Sequence, residues 1–220
     1  MEKINFERDR QIFHLFFGIS IVLLLMYGFI YEVVSLFMYG IWEDITSSNF
    51  IIRYAEILFI LFLIILGLIL SFFSRRVKIP IIYQLLQKFE RKNELERFPG
   101  KGVIFYLIGI DISLLLFPKD IAMASILVLA LGDSVSHLYG LHYGKIKLFS
   151  KTKFLEGTIA GFIAGFLGAS VFLPWHEAFL ASLAAMIVEA IEIKIGTQQV
   201  DDNLIVPFVA GAVVWLVRLF

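Results

Sequence analysis

The 220-residue sequence has no cysteine, which excludes disulfides, thiolate catalysis and cysteine-based zinc sites. Charge is also sparse: 17% of residues are charged, and 19 Lys and Arg balance 19 Asp and Glu. That is too little to coat a soluble domain of this size, and no nucleic-acid partner is expected. No cleaved signal is expected either, since E-K-I-N-F-E-R-D-R is mixed in charge and no small-residue cleavage site follows the long apolar run behind it. G-L-H-Y-G-K (140–145) lacks the Walker A spacing, and no kinase H-R-D or D-F-G set occurs. A nucleotide, if bound, is bound by another design. What is abundant is apolar: 60% hydrophobic residues, 23 Phe and a mean hydropathy of +0.88, against roughly half-apolar usage in soluble domains. The expected fold class is all-α, a polytopic helical membrane bundle.

A spanning helix needs about 20 mostly apolar residues. Seven segments qualify: 11–31, 51–73, 102–118, 121–139, 157–174, 177–195 and 204–220. Segment 32–50 is too interrupted to span and reads as interfacial, with Tyr39 and Trp42 near the headgroups. Lys and Arg set the orientation. With the N-terminus in the cytoplasm, sixteen of the nineteen fall on the cytoplasmic side, leaving Arg53, Lys119 and Arg218 on the other. The C-terminus is then outside. The absence of a targeting segment points to a prokaryotic cell membrane. Cytoplasmic segment 75–101 carries Ile82, Leu85, Leu86 and Phe89 at helical spacing, as for an amphipathic helix on the inner leaflet, either a surface linker or a lip beside a site.

This topology gathers polar groups at the cytoplasmic end. Arg10 and His14, four apart, share one helical face, as do Asp133 and His137. Lys101 and Gly102 open the third span. Lys145, Lys153 and Glu156 lie in or close the next cytoplasmic loop. Glu189 and Glu192 end the sixth span, and Asp201-Asp202-Asn203 precede the seventh. Nothing comparable is expected at the far end, where the loops read F-P-K-D and P-W-H-E. Asp133 is the group hardest to explain by topology alone, because an ionised side chain at membrane depth costs at least ~2.5–3.5 kcal/mol on insertion scales. Asp111, mid-span, reads as a packing partner or a substrate-path group. Carboxylates with an Asn suit magnesium. Several Lys and Arg suit a polyphosphate, and glycines let backbone N–H groups approach phosphate oxygens. Together they are the parts for phosphoryl or nucleotidyl transfer.

The set R-x-x-x-H-x-x-x-G (10–18), P-G-K-G (99–102), G-D-S-x-S-x-x-x-G-x-x-Y-G-K (132–145), K-F-L-E-G-T-x-A-G-F (153–162), E-A-x-E (189–192) and D-D-N-L-x-V-P (201–207) resembles the family of dolichol kinases, phytol kinases and CTP-dependent diacylglycerol kinases. The resemblance spans nearly the whole chain. It implies an integral membrane enzyme with a cytoplasmic active site, which moves the γ-phosphate of CTP, with Mg2+, to a lipid alcohol. That alcohol would be a polyprenol, a shorter isoprenoid alcohol or a diacylglycerol-like lipid. One departure is Arg10-Gln11, where the family usually has a basic pair. Arg8 or Lys101 would then supply a missing phosphate contact.

On this reading Asp133 holds magnesium or takes the lipid proton. Lys145 and Lys153 neutralise the β- and γ-phosphates, and Gly132 and Gly144 allow close backbone approach. Glu156 orients a lysine or is a further metal ligand. Glu189, Asp201 and Asp202 are candidate metal contacts, Asp201 to Asn203 alternatively reaching the ribose and base. Arg10, His14 and Lys101 close the nucleotide site. Gly157, Gly161 and Gly165, four apart, form a small-residue stripe for helix packing or a homodimer, and Gly157-Thr158 also offers helix N-terminal N–H groups to a phosphate. Two rivals remain: a CTP-dependent cytidylyltransferase acting on a lipid phosphate, and a transporter with Asp133, Asp111 and Glu189 as a relay.

Overall fold

A computed structural model describes the backbone of residues 2–39, 45–76, 86–87, 89–90, 92–148, 153–191, 193–195 and 198–220. It describes side chains over 5–28, 54–74, 76, 86–87, 89–90, 95–148, 153–191, 193 and 200–220. The helices are α1 (Glu2–Tyr39), α2 (Ile45–Arg76), the short α3 (Lys92–Arg97), α4 (Lys101–Leu116), α5 (Lys119–Tyr143), α6 (Leu155–Ala169), α7 (Trp175–Ile191) and α8 (Asp202–Val217). A two-residue antiparallel pair, β1 (Lys194–Ile195) with β2 (Gln198–Gln199), links α7 to α8. Asn5–Gly28, Tyr54–Ser74 and Lys119–Tyr143 are long and apolar enough to cross a membrane, and Leu155–Ala169 and Asp202–Val217 are shorter apolar helices.

Among the described residues, each of the seven expected spans overlaps a long helix, and 157–174, 177–195 and 204–220 run past the helix ends at Ala169, Ile191 and Val217. Within the segment read as interfacial, α1 stays helical to Tyr39 and α2 is helical from Ile45. The side chain of Tyr39, Trp42, Ile82, Leu85 and Glu192 lie outside the described residues.

α5 is buried along most of its length and forms the axis of the bundle. Its middle turn, Val128–Asp133, is π-helical, between α-helical Lys119–Leu127 and Ser134–Tyr143. The wider turn admits an extra residue and shifts the helical phase of all that follows, a device often found at functional sites. Buried residues of α5 share one apolar core with Ile104, Ile110 and Leu114 of α4 and Val206, Ala210 and Val214 of α8. Outward faces of α1, α2, α6, α7 and α8 expose Phe16, Leu24, Phe62, Phe72, Ile163, Ile187 and Trp215. An apolar girdle of that extent suits lipid contact.

Small residues let these helices close in. A Cβ on Gly161 of α6 would stand 2.6 Å from the Gly132 carbonyl and 2.6 Å from the Ser136 Cβ, both on α5, and one on Gly165 would meet Ser182 Oγ of α7 at 2.6 Å. The stripe expected for packing or dimerisation is thus consumed inside the bundle. On α8, Pro207 lacks the N–H that would bond the carbonyl four residues earlier. That carbonyl, of Asn203, lies directly against Gly109 of α4, where any side chain would collide with it.

Candidate functional site

Four separate stretches of chain converge on the ammonium of Lys153. Residues 146–148 and 153–155 fold back on one another, with Leu148 N–H donating to the Lys153 carbonyl at 3.0 Å and Leu155 N–H to the Ile146 carbonyl at 2.9 Å. The turn drives the Lys153 side chain into the bundle, where the residue is buried. Its Nζ bonds Glu189 of α7, lies 3.2 Å from Asp202 Oδ2 of α8, and 4.0 Å from Asp133 Oδ1 of α5. Glu189 is fully buried and also accepts from Ser136 Oγ at 3.1 Å. Burial alone would lower the pKa of the Lys153 ammonium. Glu189, then Asp133 and Asp202, outweigh it and hold that pKa above the ordinary lysine value. Three carboxylates around one ammonium leave a surplus of negative charge, and Asp133 makes the loosest of the three contacts.

Around this centre sits a rim. Asp201 caps α8, accepting from Asn203 N–H at 3.2 Å and Asn203 Nδ2 at 2.9 Å. It also pairs with Lys101 Nζ at 3.4 Å. Lys101 is fixed by the turn before α4: Gly100 takes φ +82°, a conformation other residues rarely adopt. Its N–H donates to Glu90 Oε2 at 2.8 Å. Phe89, beside Glu90, stacks on Phe13 of α1 at 4.7 Å between centroids. From α1, His14 packs edge-on to Tyr106 at 5.5 Å and stands over Gly102. Arg10 pairs with Glu7 at 3.0 Å, and the same Glu7 oxygen lies 3.6 Å from His137 Nε2.

Glu156, ahead of the candidate span 157–174, takes a different place. Its carboxylate accepts the backbone N–H of Lys145 at 3.1 Å and of Ile146 at 3.2 Å, so it holds the loop that carries Lys145. Its pKa is held below the ordinary glutamate value by its own backbone N–H and then by that of Lys145. Lys145 itself is exposed. The glycines expected to cradle phosphates face protein atoms: Gly132 meets Met186, Gly144 the Phe154 ring, and Gly157 the Ser136 carbonyl. Thr158 Oγ1 is turned back onto the Phe154 carbonyl at 3.2 Å. A small cleft opens beside Lys153, between Ser136, His137, Gly140, Leu141 and Phe154.

The structure therefore brings Asp133, Lys153, Glu189 and Asp202 into direct contact and places Arg10, His14, Lys101, Asp201 and Asn203 around them. Reading the sequence alone missed Glu7, Glu90 and Ser136. The signals were present in the spacing of Glu7 to Arg10, one turn apart, and in the second serine of G-D-S-x-S. Glu90 had none, since its partner is a backbone N–H ten residues away.

The expectation of an empty far end is corrected. Arg218 bonds Glu177 Oε1 at 3.0 Å and Oε2 at 2.8 Å, and Asp120 at 2.8 Å, while Lys119 bonds Glu56 at 2.8 Å. F-P-K-D and P-W-H-E thus contribute to an ion network. It ties the start of α5 and α7 to the end of α8, some 16 helical residues from the Lys153 cluster. Charges in short loops cannot be seen to pair until the helices are set side by side.

No protein-family model matches the chain and no solved structure matches it. Curated relatives do. An uncharacterised protein of Methanocaldococcus jannaschii is 35% identical over 155 residues, 69% of this chain and 75% of the relative. CTP-dependent diacylglycerol kinase 1 of Schizosaccharomyces pombe is 30% identical over 138 residues, 56% of this chain and 63% of that enzyme. A "probable phytol kinase, chloroplastic" of Triticum aestivum is 33% identical over 134 residues, 53% of this chain and 44% of the relative. The matched part is thus less than two thirds of either kinase's own length. Over the matched residues the chain is similar to lipid kinases, as the names of the CTP-dependent diacylglycerol kinase and the phytol kinase describe them.

Proposed function

We propose that this chain is a membrane lipid-alcohol kinase that transfers the γ-phosphate of CTP to the hydroxyl of a polyprenol-, dolichol- or diacylglycerol-type lipid. The observation that carries the reading is the buried lysine, Lys153, among Asp133, Glu189 and Asp202, in a chain whose relatives bear the names of lipid kinases. In this reading seven helices span the membrane as one catalytic domain, with the N-terminus and the Lys153 end cytoplasmic and the C-terminus outside. Single cysteines placed at Lys145 and Pro118 in this cysteine-free chain test it, since only the second is to be labelled by an impermeant reagent added outside intact cells.

A polyphosphate is repelled by a surplus of carboxylates unless cations intervene. Lys153 is one, and Arg10, His14, Lys101 and Lys145 surround the mouth. Asp133 and Asp202 are hard oxygen donors of the kind Mg2+ takes, and the negative surplus around Lys153 suits such a cation. Among the described residues, however, no three His, Asp or Glu side chains are spaced as a preformed metal cage. Asp133 and Asp202 would hold the ion jointly with the phosphates, and the bound ion would neutralise charge on the transferring group. Asp133, loosely held by Lys153, takes the proton of the lipid hydroxyl as its oxygen bonds the γ-phosphorus. The bond to the β-phosphate oxygen breaks, and CDP leaves with its charge met by Lys153 and Lys145. Glu156 sets the Lys145 loop, and Lys101 and Asn203 face the nucleotide.

The test uses purified protein in detergent with Mg2+, a panel of lipid alcohols and lipid phosphates, and CTP labelled at the α or the γ position. Label moving from the γ position onto an alcohol supports the kinase and names the acceptor. Label from the α position on a lipid phosphate makes the chain a cytidylyltransferase. Transfer of neither, with ATP also tried, refutes both and returns the transporter reading.

A further inference from the structure

Three neutral polar groups at the α1, α4 and α5 junction have no hydrogen-bond partner among the described residues. Gln11 Oε1, Tyr106 Oη and Ser134 Oγ are each buried and unpartnered, and their residues are at most 3% exposed. Leaving such a group unmade inside a protein costs its full desolvation, which a Phe or an Ala at the same place would not incur. The fold nevertheless makes room for one of them. Gly18 lies so close to the Tyr106 hydroxyl that any side chain there would collide with it, and it also abuts Ala130 of α5.

These groups share one seam. On α1, Gln11, His14 and Gly18 fall on one face at helical spacing, and Ser134 is one turn beyond Ala130 on α5. Glu7 meets His137 at one end of the crossing and Gly18 meets Ala130 at the other, so Gln11 and Ser134 lie between them. Asp133 is next to Ser134 in the chain, and its Oδ1 lies 4.0 Å from Lys153 Nζ. Asp133 therefore divides two environments. On one side are Lys153, Asp202 and Glu189, an ammonium among carboxyl groups. On the other are two hydroxyls and an amide oxygen. Those three groups offer a charged phosphate no cation, and the amide oxygen only accepts. A neutral O–H, which both donates and accepts, matches it. The seam is also on the membrane side of Lys101: Tyr106 is five residues further along α4, about 7–8 Å at the helical rise.

We infer that the α1–α5 seam is the acceptor-hydroxyl site, in which Tyr106, Ser134 and Gln11 take the hydroxyl of a lipid alcohol and hold it beside Asp133 while its tail stays in the bilayer. The inference rests on the kinase reading and assigns its second substrate. A buried water is the competing occupant.

Tyr106→Phe and Ser134→Ala in the intact chain test it, with phytol as the alcohol probe. Each is expected to lower kcat/KM for phytol about tenfold, the scale of one lost hydrogen bond, with KM for CTP within about twofold and a melting temperature that does not fall. Unchanged phytol kinetics in both variants would leave the seam holding only water and overturn the assignment. A lowered melting temperature with equal losses toward CTP and phytol would overturn it too, by making the two groups structural. If the wild-type protein phosphorylates no alcohol, the kinase reading fails by itself, and equilibrium binding decides the seam. Phytol bound more tightly than its methyl ether, with the preference erased in both variants, upholds the site, and equal binding of the two compounds refutes it.

Discussion

Replacing Lys153 by Met tests whether the ion cluster is one energetic unit. The substitution keeps most of the volume and removes the only cation that the described contacts place among Glu189, Asp202 and Asp133. Glu189 is fully buried, and the Lys153 side chain is only 10% exposed, so solvent screens little of the loss. Removing one partner of a buried pair costs about 3–5 kcal/mol, because the other charge stays behind. For a chain of this length that is a fall of about 6–20 °C in melting temperature. Thermal unfolding in detergent at neutral pH reads it directly. The double variant Lys153→Met, Glu189→Gln no longer buries the most enclosed of the stranded charges and is expected to recover much of the loss. The reasoning fails if the single variant melts within about 2 °C of wild type, or if Glu189→Gln brings no recovery. The pH dependence has a definite sign. The ammonium is favoured in the folded state, so its contribution is complete below the ordinary lysine pKa and is lost only as pH rises through the raised folded value. The contribution of the Lys153 ammonium itself is therefore flat through neutral pH.

Asp133→Asn is expected to abolish phosphoryl transfer while the protein still inserts and melts as a folded chain. An active Asp133→Asn enzyme would remove the base from the proposed chemistry. Glu156→Gln weakens the hold on the Lys145 and Ile146 N–H groups, so KM for CTP should rise more than kcat falls, as initial rates over a CTP series will show. The hold in wild type is present above the ordinary glutamate pKa and is lost as pH falls through the depressed folded one, so KM for CTP should also rise on acidification. Arg218→Ala cuts the tie between α5, α7 and α8 at the far end. With the side chain one third exposed, screening limits the cost to about 1–2 kcal/mol. The expected fall is about 2–8 °C in melting temperature with kcat unchanged, and a loss of turnover at full stability would contradict a structural role.

The seven helices were legible because lipid and buried core both demand apolar residues in helical runs, and segments such as 51–73 and 121–139 contain little else. The gathering of Asp133, Glu189 and Asp202 was legible for a related reason: charges avoid the membrane, so those near helix ends share a plane. Partners were not legible. Lys145 and Lys153 look alike in the sequence, yet the first is exposed and the second is enclosed by carboxylates from α5, α7 and α8. Glu156 reads as a site carboxylate, and folding turns it onto backbone N–H groups instead. Gly132, Gly144 and Gly157 fit a phosphate cradle by type, but each is spent on contact with neighbouring protein atoms. The far-end network of Arg218 escaped notice because its members come from three short stretches with no common motif.

By itself, the sequence determined an all-helical membrane chain without thiol chemistry, its helix positions, and a polar end rich in carboxylates and lysines. Those properties follow from one-dimensional patterns: apolar length, charge exclusion from lipid and residue type. Only the tertiary structure decided which ammonium is buried and which hydroxyls go unpartnered. It also decided how the π-helical turn at Val128–Asp133 phases α5, with Asp133 toward Lys153, Ser136 toward Glu189 and His137 toward Glu7. The physical reason is that pairing and burial depend on distances between helices remote in the chain, and those distances are set by how closely residues such as Gly109 and Gly161 let the backbones approach.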